Sequence, residues 1–292
     1  MNTNSINALE VSDLSKIYNT GKGIRNISFE LNKGTILGII GLNGAGKTTL
    51  LRCLTGFLKP DTGRIQYDFN GERYDKVKPA ILDNLGIVAS EYGYPDHFTA
   101  KTISQIMSFT YKKWDKSRFF EILIYLDLDK NLKTGKYSSG MKTKLAIAIA
   151  LSHNPKILIL DEATRGLDIK ASSRVRELLY SHVSNGENAI VLTSHIMGEI
   201  ERMSDTVMLI EDGNIQFNSN KDDLLYQHKI FQITSNQLAD MDKEDIYKIK
   251  REEHAIHIIA KNPKAFGDKY KIEAASSSLE RVIEIILEGD AA

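Results

Sequence analysis

Short apolar runs alternate along the first two thirds of the chain with segments of helical periodicity. Residues 36–40, 157–160 and 189–192 are continuously apolar, which is typical of strands buried on both faces of a parallel sheet. Residues 9–14, 24–31, 64–69, 85–89 and 208–210 add further predicted strands. This pattern predicts an α/β core.

The character of the chain changes to helical between residue 91 and about residue 152. Apolar side chains recur there at spacings of three and four, as expected for amphipathic helices: Ile103, Ile106, Met107, Phe119, Ile122, Leu123 and Leu126. We therefore predict a helical subdomain inserted into the core.

From residue 221 onward the pattern predicts a small α+β domain, residues 221–292, after a first domain of residues 1–220. Strands are expected at 230–234, 254–260 and 270–274, followed by a terminal helix with an apolar face. Ser277 and Glu280 form a candidate capping box for that helix. No ligand motif occurs in this domain, so dimerisation or regulation is its default role.

Charge and hydropathy narrow the possible partners. The 292 residues contain 38 Lys and Arg against 38 Asp and Glu, so the basic field typical of nucleic-acid binding is missing and nucleic acid is not an expected partner. No run approaches the roughly 18 apolar residues of a membrane span, and the N-terminus has no apolar leader. We expect a cytoplasmic protein with no direct membrane span, which reaches a membrane only through a partner.

The run at 36–40 leads into a glycine-rich loop with the pattern G-x-x-x-x-G-K-[ST]. A strand before it and a helical pattern after it are the context in which such loops cradle phosphates with backbone N–H groups. Lys47 is expected to reach the β- and γ-phosphates, and Thr48 to ligate Mg²⁺. The candidate nucleotide-binding residues of this loop are Asn43, Gly44, Ala45, Gly46, Lys47, Thr48 and Thr49.

Two other strands deliver polar residues at their carboxyl ends, where ligands bind in open parallel sheets. Asp161 and Glu162 follow 157–160, and His195 follows 189–192. The carboxylate pair suits Mg²⁺ binding and water activation.

Two further candidates have a local explanation as well as a functional one. Tyr18 lies ahead of the loop and is either an adenine-stacking ring or an exposed turn tyrosine. Ser138 and Ser139 are, on local grounds, helix N-caps.

These motifs, in this order, resemble an ATP-binding cassette (ABC) ATPase, the nucleotide-binding subunit of an ABC transporter, over roughly residues 8–220. The resemblance rests on the loop at 41–48, Tyr-Ser-Ser-Gly-Met at 137–141, Ile-Leu-Ile-Leu-Asp-Glu at 157–162, Gly-Leu-Asp at 166–168 and His195. It implies a P-loop NTPase core with an antiparallel β subdomain, an inserted helical subdomain and a small C-terminal α+β domain.

The resemblance also implies roles for individual residues. Tyr18 would stack on adenine, Asp161 would bind Mg²⁺, Glu162 would polarise the attacking water, and His195 would touch the γ-phosphate. Ser138, Ser139 and Gly140 would contact the γ-phosphate of ATP held by a second subunit, and Asp168 would belong to the loop between subunits. ATP and Mg²⁺ are the implied cofactors, and a homodimer or a paired ABC ATPase is the implied assembly.

One position departs from the family pattern. Where the family usually has Gln after the strand at 85–89, this chain has Ser90 and Glu91, and Glu91 is the preferred Mg²⁺ ligand there, with Ser90 as the alternative. The aromatic stretch Tyr92, Tyr94, Pro95 and Phe98 is either a groove for a membrane subunit or a packed loop.

The resemblance implies the motor subunit of a bacterial exporter that works with a separate transmembrane permease at the inner face of the cell membrane. Related exporter ATPases expel antimicrobial or amphipathic peptides such as phenol-soluble modulins. The alternative is a soluble ABC ATPase that acts on ribosomes, DNA or cluster assembly. A non-catalytic regulatory dimer is disfavoured by the presence of both Glu162 and His195.

Overall fold

The computed structural model describes residues 7–69, 71–75, 79–89, 93–253 and 255–291. Its strands are β1 (Asn7–Ile17), β2 (Gly23–Asn32), β3 (Ile36–Ile40), β4 (Thr62–Phe69), β5 (Glu72–Tyr74), β6 (Leu85–Val88), β7 (Ile157–Asp161), β8 (Ala189–Thr193), β9 (Thr206–Glu211), β10 (Asn214–Asn220), β11 (Ile230–Ile233), β12 (Ile246–Arg251) and β13 (Ile256–Ala260).

The helices are α1 (Lys47–Leu54), α2 (Pro79–Leu82), α3 (Ala100–Thr110), α4 (Lys116–Tyr125), α5 (Ser139–Leu151), α6 (Ile169–Val183), α7 (Met197–Met203), α8 (Lys221–Gln227), α9 (Ser235–Ala239), α10 (Pro263–Tyr270) and α11 (Leu279–Glu288). Single 3-10 turns occur at Thr134–Lys136 and Lys243–Asp245.

Two sheets form the first part of the structure. The antiparallel sheet has the order β2-β1-β4-β5, and the six-stranded sheet has the order β10-β9-β3-β8-β7-β6. Within the larger sheet β3 pairs in parallel with β8 and β9, and β7 pairs in parallel with β6 and β8. The carboxyl ends of β3, β7 and β8 therefore meet at one edge, as the predicted α/β core requires.

Helix α1 shares one apolar core with strands of both sheets. Leu50 and Leu54 of α1 are fully buried there beside Ile39 of β3 and Ile27 of β2. Burial of such a side chain stabilises the fold by about 1.5–3 kcal/mol. Cys53 lies in the same core, where burial raises the pKa of its thiol to about 11. The helix that follows the glycine-rich loop is thus held rigidly.

Helices α3, α4 and α5 form the predicted helical insertion and pack against one another. Their buried contacts come from the apolar positions at helical spacing, among them Ile103 and Phe119, which are both fully buried. Helix α5 begins at Ser139, six residues before the apolar run at 145–151, because Ser138 caps its first turn.

The last part of the chain contains the antiparallel sheet β11-β13-β12 with a helix on each face. Phe231 and Ile258 pack with Phe266 of α10 on one face, while Ile230 and Ile259 pack with α11 on the other. The strand predicted at 270–274 is wrong. That stretch holds the end of α10 and an irregular segment, and the third strand is β12 instead.

Two further details of the C-terminal prediction are corrected. The cap of α11 is Ser278, whose hydroxyl accepts from the Arg281 N–H at 3.3 Å, so Ser277 and Glu280 do not form the capping box. Helix α10 was not predicted, although an N-cap followed by proline at the first helical position, Asn262 and Pro263, marks its start. Residue 254, the first of the strand predicted at 254–260, lies outside the described residues.

The described chain divides into two compact units. The first comprises Met1–His195 and Thr206–Asn218, and the second comprises Ile196–Asp205 and Ser219–Ala292, so that α7 groups with the C-terminal residues. The functional division into domains 1–220 and 221–292 stays a prediction. Within the described ranges, no helix has both the length and the apolar character needed to cross a membrane.

Candidate nucleotide-binding and catalytic site

The glycine-rich loop joins the buried strand β3 to α1 and presents the start of that helix. Gly46 adopts φ 111°, and a Cβ there would lie 2.7 Å from Cγ2 of Ile24, so glycine is required. The start of α1 has no side-chain cap. Its first N–H groups are therefore available to an anion, as expected for a phosphate-binding loop.

The Lys47 side chain hydrogen-bonds to carbonyl groups of its own loop. Its ammonium Nζ donates to the carbonyl oxygens of Gly41 at 2.6 Å and Leu42 at 3.2 Å, and the residue is only 8% exposed. Burial lowers the pKa of Lys47, while the carboxylates of Glu162 and Asp161 act to raise it. A buried ammonium that contacts neutral carbonyls would be stabilised further by a negatively charged phosphate.

Asp161, at the end of β7, faces both the loop and β8. The Thr193 hydroxyl donates to its Oδ1 at 2.6 Å, and the Thr48 hydroxyl donates to its Oδ2 at 3.4 Å. The structure thus brings together Thr48 and Asp161, two hard oxygen donors predicted to share Mg²⁺. This donor set suits Mg²⁺, which proteins commonly bind through one or two side chains together with substrate phosphates.

Glu162 follows Asp161 in a left-handed conformation with φ 52°, which is uncommon for a residue with a long side chain. Its N–H donates to the backbone oxygen of Thr193 at 3.1 Å and to the Thr193 hydroxyl at 3.3 Å. Its carboxylate lies 3.3 Å from Nδ1 of His195 and 3.4 Å from the Arg165 guanidinium. The backbone turn therefore places the Glu162 carboxylate between the His195 ring and the Arg165 guanidinium.

A cavity of about 410 Å³ lies over the loop. Nine predicted site residues line it: Tyr18, Asn43, Gly44, Gly46, Lys47, Thr48, Thr49, Asp161 and Glu162. His195 reaches the site through Glu162. Ala45 is buried below the loop and does not line the cavity, although its backbone oxygen fixes the loop by accepting from the Gly213 N–H.

The other predicted nucleotide contacts lie elsewhere. The Ser138 hydroxyl caps α5 by accepting from the Met141 N–H at 3.2 Å, and Asp168 caps α6 by accepting from the Ala171 N–H at 2.7 Å. Among the described residues that line the cavity, none is Ser138, Ser139, Gly140 or Asp168. The predicted contacts thus fall into two separate groups.

The segment 138–143, which we call the signature segment, packs against the loop 163–168. A Cβ on Gly140 would collide with the carbonyl oxygen of Gly166, and the Thr143 hydroxyl donates to the carbonyl oxygen of Arg165 at 3.1 Å. The start of α5 and the residues that follow Glu162 are therefore held as one surface.

Sequence reasoning missed two residues of the site. Thr193 was part of the strand-end series with His195, but its hydroxyl, which contacts both carboxylate residues, was not assigned a role. Arg165 follows Glu162 by three residues, lines the cavity and pairs with the Glu162 carboxylate. Its spacing from Glu162 is the only feature of the sequence that could have indicated this role.

Glu91, Ser90 and Tyr92 lie outside the described residues. Of the aromatic stretch that follows, Tyr94 and Phe98 are half-buried and Pro95 is exposed. The backbone oxygens of Pro95 and Phe98 accept from the hydroxyl and the N–H of Thr134. The choice between a permease groove and a packed loop stays open.

Known proteins resemble this chain in sequence and in fold. The family model described as ABC transporter matches residues 24–165. The bacitracin transport ATP-binding protein BcrA of Bacillus licheniformis is 36% identical over 209 residues, which covers 71% of this chain and 68% of BcrA. The chain belongs to the ABC transporter family as an ATP-binding subunit. This ABC ATPase binds ATP and has the α/β P-loop fold predicted from its motifs.

Two other relatives agree with this assignment. The SkfA peptide export ATP-binding protein SkfE of Bacillus subtilis (strain 168) is 34% identical to this chain. The match covers 71% of this chain and 87% of SkfE. The solved structure of an ATP-binding subunit of an ABC transporter superposes with a TM-score of 0.68 at 25% identity, covering 75% of this chain and 92% of that one.

Proposed function

We propose that this ABC ATPase is the motor subunit of a bacterial exporter. Two cassettes would close around two ATP molecules with Mg²⁺, and hydrolysis would drive export through a separate transmembrane permease. The similarity to BcrA and SkfE, whose names denote bacitracin transport and peptide export, supports an amphipathic or antimicrobial peptide as cargo.

The observation that carries this proposal is the separation of the two groups of nucleotide contacts. Lys47, Thr48, Asp161 and Glu162 line the cavity, but the signature segment does not reach it. Ser138 caps one N–H group at the start of α5, that of Met141, and the positive end of the α5 dipole still suits an anion held by another molecule. A second copy, or a paired ABC ATPase, would therefore complete each site.

Phosphoryl transfer depends mainly on positioning and charge compensation. Lys47 would leave the carbonyls of Gly41 and Leu42 for the β- and γ-phosphates, and Tyr18 would stack on adenine. Glu162 would orient the attacking water, and His195 beside it would contact the γ-phosphate. Mg²⁺, held by Thr48 and Asp161 with a predicted contribution from Glu91, would neutralise developing charge on the phosphate oxygens.

Substitution of Glu162 tests the proposed catalytic role. Glu162→Gln preserves the shape but removes the charge that polarises water, so we expect ATP binding to remain and turnover to fall by about 100-fold or more. Light scattering should then show the ATP-bound dimer accumulating. The matched control is Glu187→Gln, an exposed site in the loop before β8. Normal turnover in Glu162→Gln would remove Glu162 from the mechanism.

The transport assignment is tested by the partner. A tagged chain expressed in its own host and extracted in mild detergent should co-purify with a polytopic membrane protein, and the permease should stimulate or restrain ATP turnover. Recovery only with ribosomes or DNA would contradict the exporter proposal and support the soluble alternative.

A further inference from the structure

The second compact unit contains a cavity larger than the one over the glycine-rich loop. Its volume is about 1170 Å³, compared with about 410 Å³ for the loop cavity. The walls come from the end of α8, from β11 and β12, from α10 and from the segment that follows it. Small-molecule sites typically occupy about 300–1,000 Å³, so this C-terminal cavity can hold a ligand of nucleotide or dinucleotide size.

Positive charge dominates the lining. Lys229, Lys261, Lys264 and Lys271 line the cavity together with two carboxylates, Asp268 and Glu273. In the part of the chain that the structure describes, none of these four ammonium groups forms a salt bridge. The whole protein carries no net charge, so this local excess is not a reflection of overall composition. Ammonium groups without a salt bridge around one concave space favour a phosphate-bearing ligand.

Aromatic rings share the lining with the lysines. Tyr226 and Tyr247 line the cavity and are 64% and 42% exposed. The Lys229 ammonium lies 5.2 Å from the Tyr226 ring centroid, and His228 meets Tyr247 edge-on at 5.9 Å. Exposed rings beside cations offer a planar, ring-bearing ligand a stacking surface next to its charge.

The floor of the cavity is ordered by packing. Phe231 is buried against Phe266 in the core of the unit, with ring centroids 4.8 Å apart. Beside it, Lys271 ends α10 in the left-handed conformation, φ 54°, that is common at the ends of helices.

We propose that the C-terminal cavity binds a phosphorylated nucleoside or dinucleotide, distinct from the ATP at Lys47. The lysines would hold its phosphates, and Tyr247 would stack on its base, since the Lys229 ammonium already lies over the Tyr226 ring. The two carboxylates suit sugar hydroxyls and would repel an extended polyanion, which favours a small ligand over RNA or an anionic membrane.

Calorimetry on the full chain with Lys47→Ala tests the proposal, because that background weakens binding at the glycine-rich loop. The probes are ADP, GDP, the dinucleotide pApA, inorganic pyrophosphate and phosphatidylglycerol vesicles. We expect saturable binding of at least one of the three nucleotides, and at least a tenfold loss of affinity when Lys261→Gln and Lys264→Gln are added. Both side chains are exposed, so the fold should survive, which thermal unfolding would verify.

Two controls separate the parts of the proposal. Lys59→Gln with Lys243→Gln removes the same charge from exposed sites outside the cavity and should leave the affinity unchanged. Tyr247→Leu should weaken nucleotide binding by about tenfold. It should spare pyrophosphate, which has no ring to stack.

Several results would overturn the proposal. They are the absence of saturable nucleotide binding at millimolar concentration, an affinity unchanged by the two lysine substitutions, and pyrophosphate binding as tight as that of the nucleotides. Binding only to phosphatidylglycerol vesicles would identify a membrane-facing surface instead. None of these results depends on ATP turnover or on a permease.

Discussion

At the scale of single residues, one hydroxyl group organises the two carboxylate residues proposed to act in ATP hydrolysis. Thr193 donates to Asp161 and accepts from the Glu162 N–H, so the side chain at the end of β8 sets the geometry of both residues at the end of β7. The sequence pattern placed all three at strand ends. It did not show this contact, because parallel register aligns Asp161 with Thr193 only in the folded sheet.

Arg165 is the residue whose role in the site is most open to test. Its guanidinium lies 3.4 Å from Glu162 and lines the cavity, so we expect it to help hold Glu162 and to favour the bound phosphates. Arg165→Gln should lower kcat by about three- to tenfold, and Arg165→Lys should restore part of it. The side chain is 67% exposed, so the melting temperature should change little.

Steady-state ATPase assays and thermal unfolding measure these two effects. Lys170→Gln is the matched control, because Lys170 is also exposed and pairs with Asp127 outside the cavity. An unchanged kcat in Arg165→Gln would mean that the ion pair with Glu162 has no part in turnover.

At the scale of elements, helix starts decide what the site can bind. Helix α1 begins at Lys47 without a side-chain cap, whereas α5 and α6 begin behind Ser138 and Asp168, which cap them. An uncapped start at the end of a buried strand suits a phosphate within the same unit. The start of α5 is instead packed against the loop 163–168, and in the proposed dimer it would contact the nucleotide of the other subunit.

Gly140→Ala tests that contact between elements. The added Cβ would collide with the Gly166 carbonyl and displace the signature segment from the loop 163–168. We expect ATP binding by the isolated chain to persist, since the loop cavity is untouched, and ATPase activity to fall by about tenfold or more. Equilibrium nucleotide binding and ATPase assays distinguish the two effects.

Gly93→Ala is the control for that substitution, because a Cβ there meets none of the described residues within 4 Å. Equal loss of ATP binding and of turnover in Gly140→Ala would show that the damage spreads to the loop cavity, and it would contradict the division into two groups of contacts.

At the scale of the whole molecule, a buried histidine connects stability to pH. His182 in α6 is 3% exposed, and in the described structure neither of its ring nitrogens has a hydrogen-bond partner. Burial, with help from the nearby Arg118 cation, lowers its pKa to about 4. The folded state therefore disfavours the protonated ring, whereas the unfolded chain accepts a proton near pH 6.5.

The sign of the effect follows from linkage. The contribution of His182 to stability is complete above about pH 6.5 and is lost as the pH falls towards 4. Between pH 7 and pH 5 this amounts to about 2 kcal/mol. Urea unfolding at the two values should show a smaller loss in His182→Leu than in the parent chain. The exposed His97→Asn is the control, and an unchanged loss in His182→Leu would contradict the assignment.

The sequence alone determined the nucleotide-binding fold of this protein, because a phosphate site depends on local patterns. A glycine-rich loop between a buried strand and a helix, and polar residues directly after apolar runs, specify a phosphate site whatever the rest of the chain does. The family resemblance then identified the ABC ATPase. In the C-terminal unit the same kind of reading misplaced a strand at 270–274, because Ile272 and Ala274 pack on the sheet's core without joining it.

Only the tertiary structure decided which residues meet. Register in the parallel sheet put the Thr193 hydroxyl between Asp161 and Glu162, and the packing of α5 on the loop 163–168 kept Ser138 to Gly140 away from the loop cavity. The lysines and tyrosines of the C-terminal cavity carry no motif, because α8, β12 and α10 are far apart along the chain. Contacts between distant segments depend on packing, which no local pattern encodes.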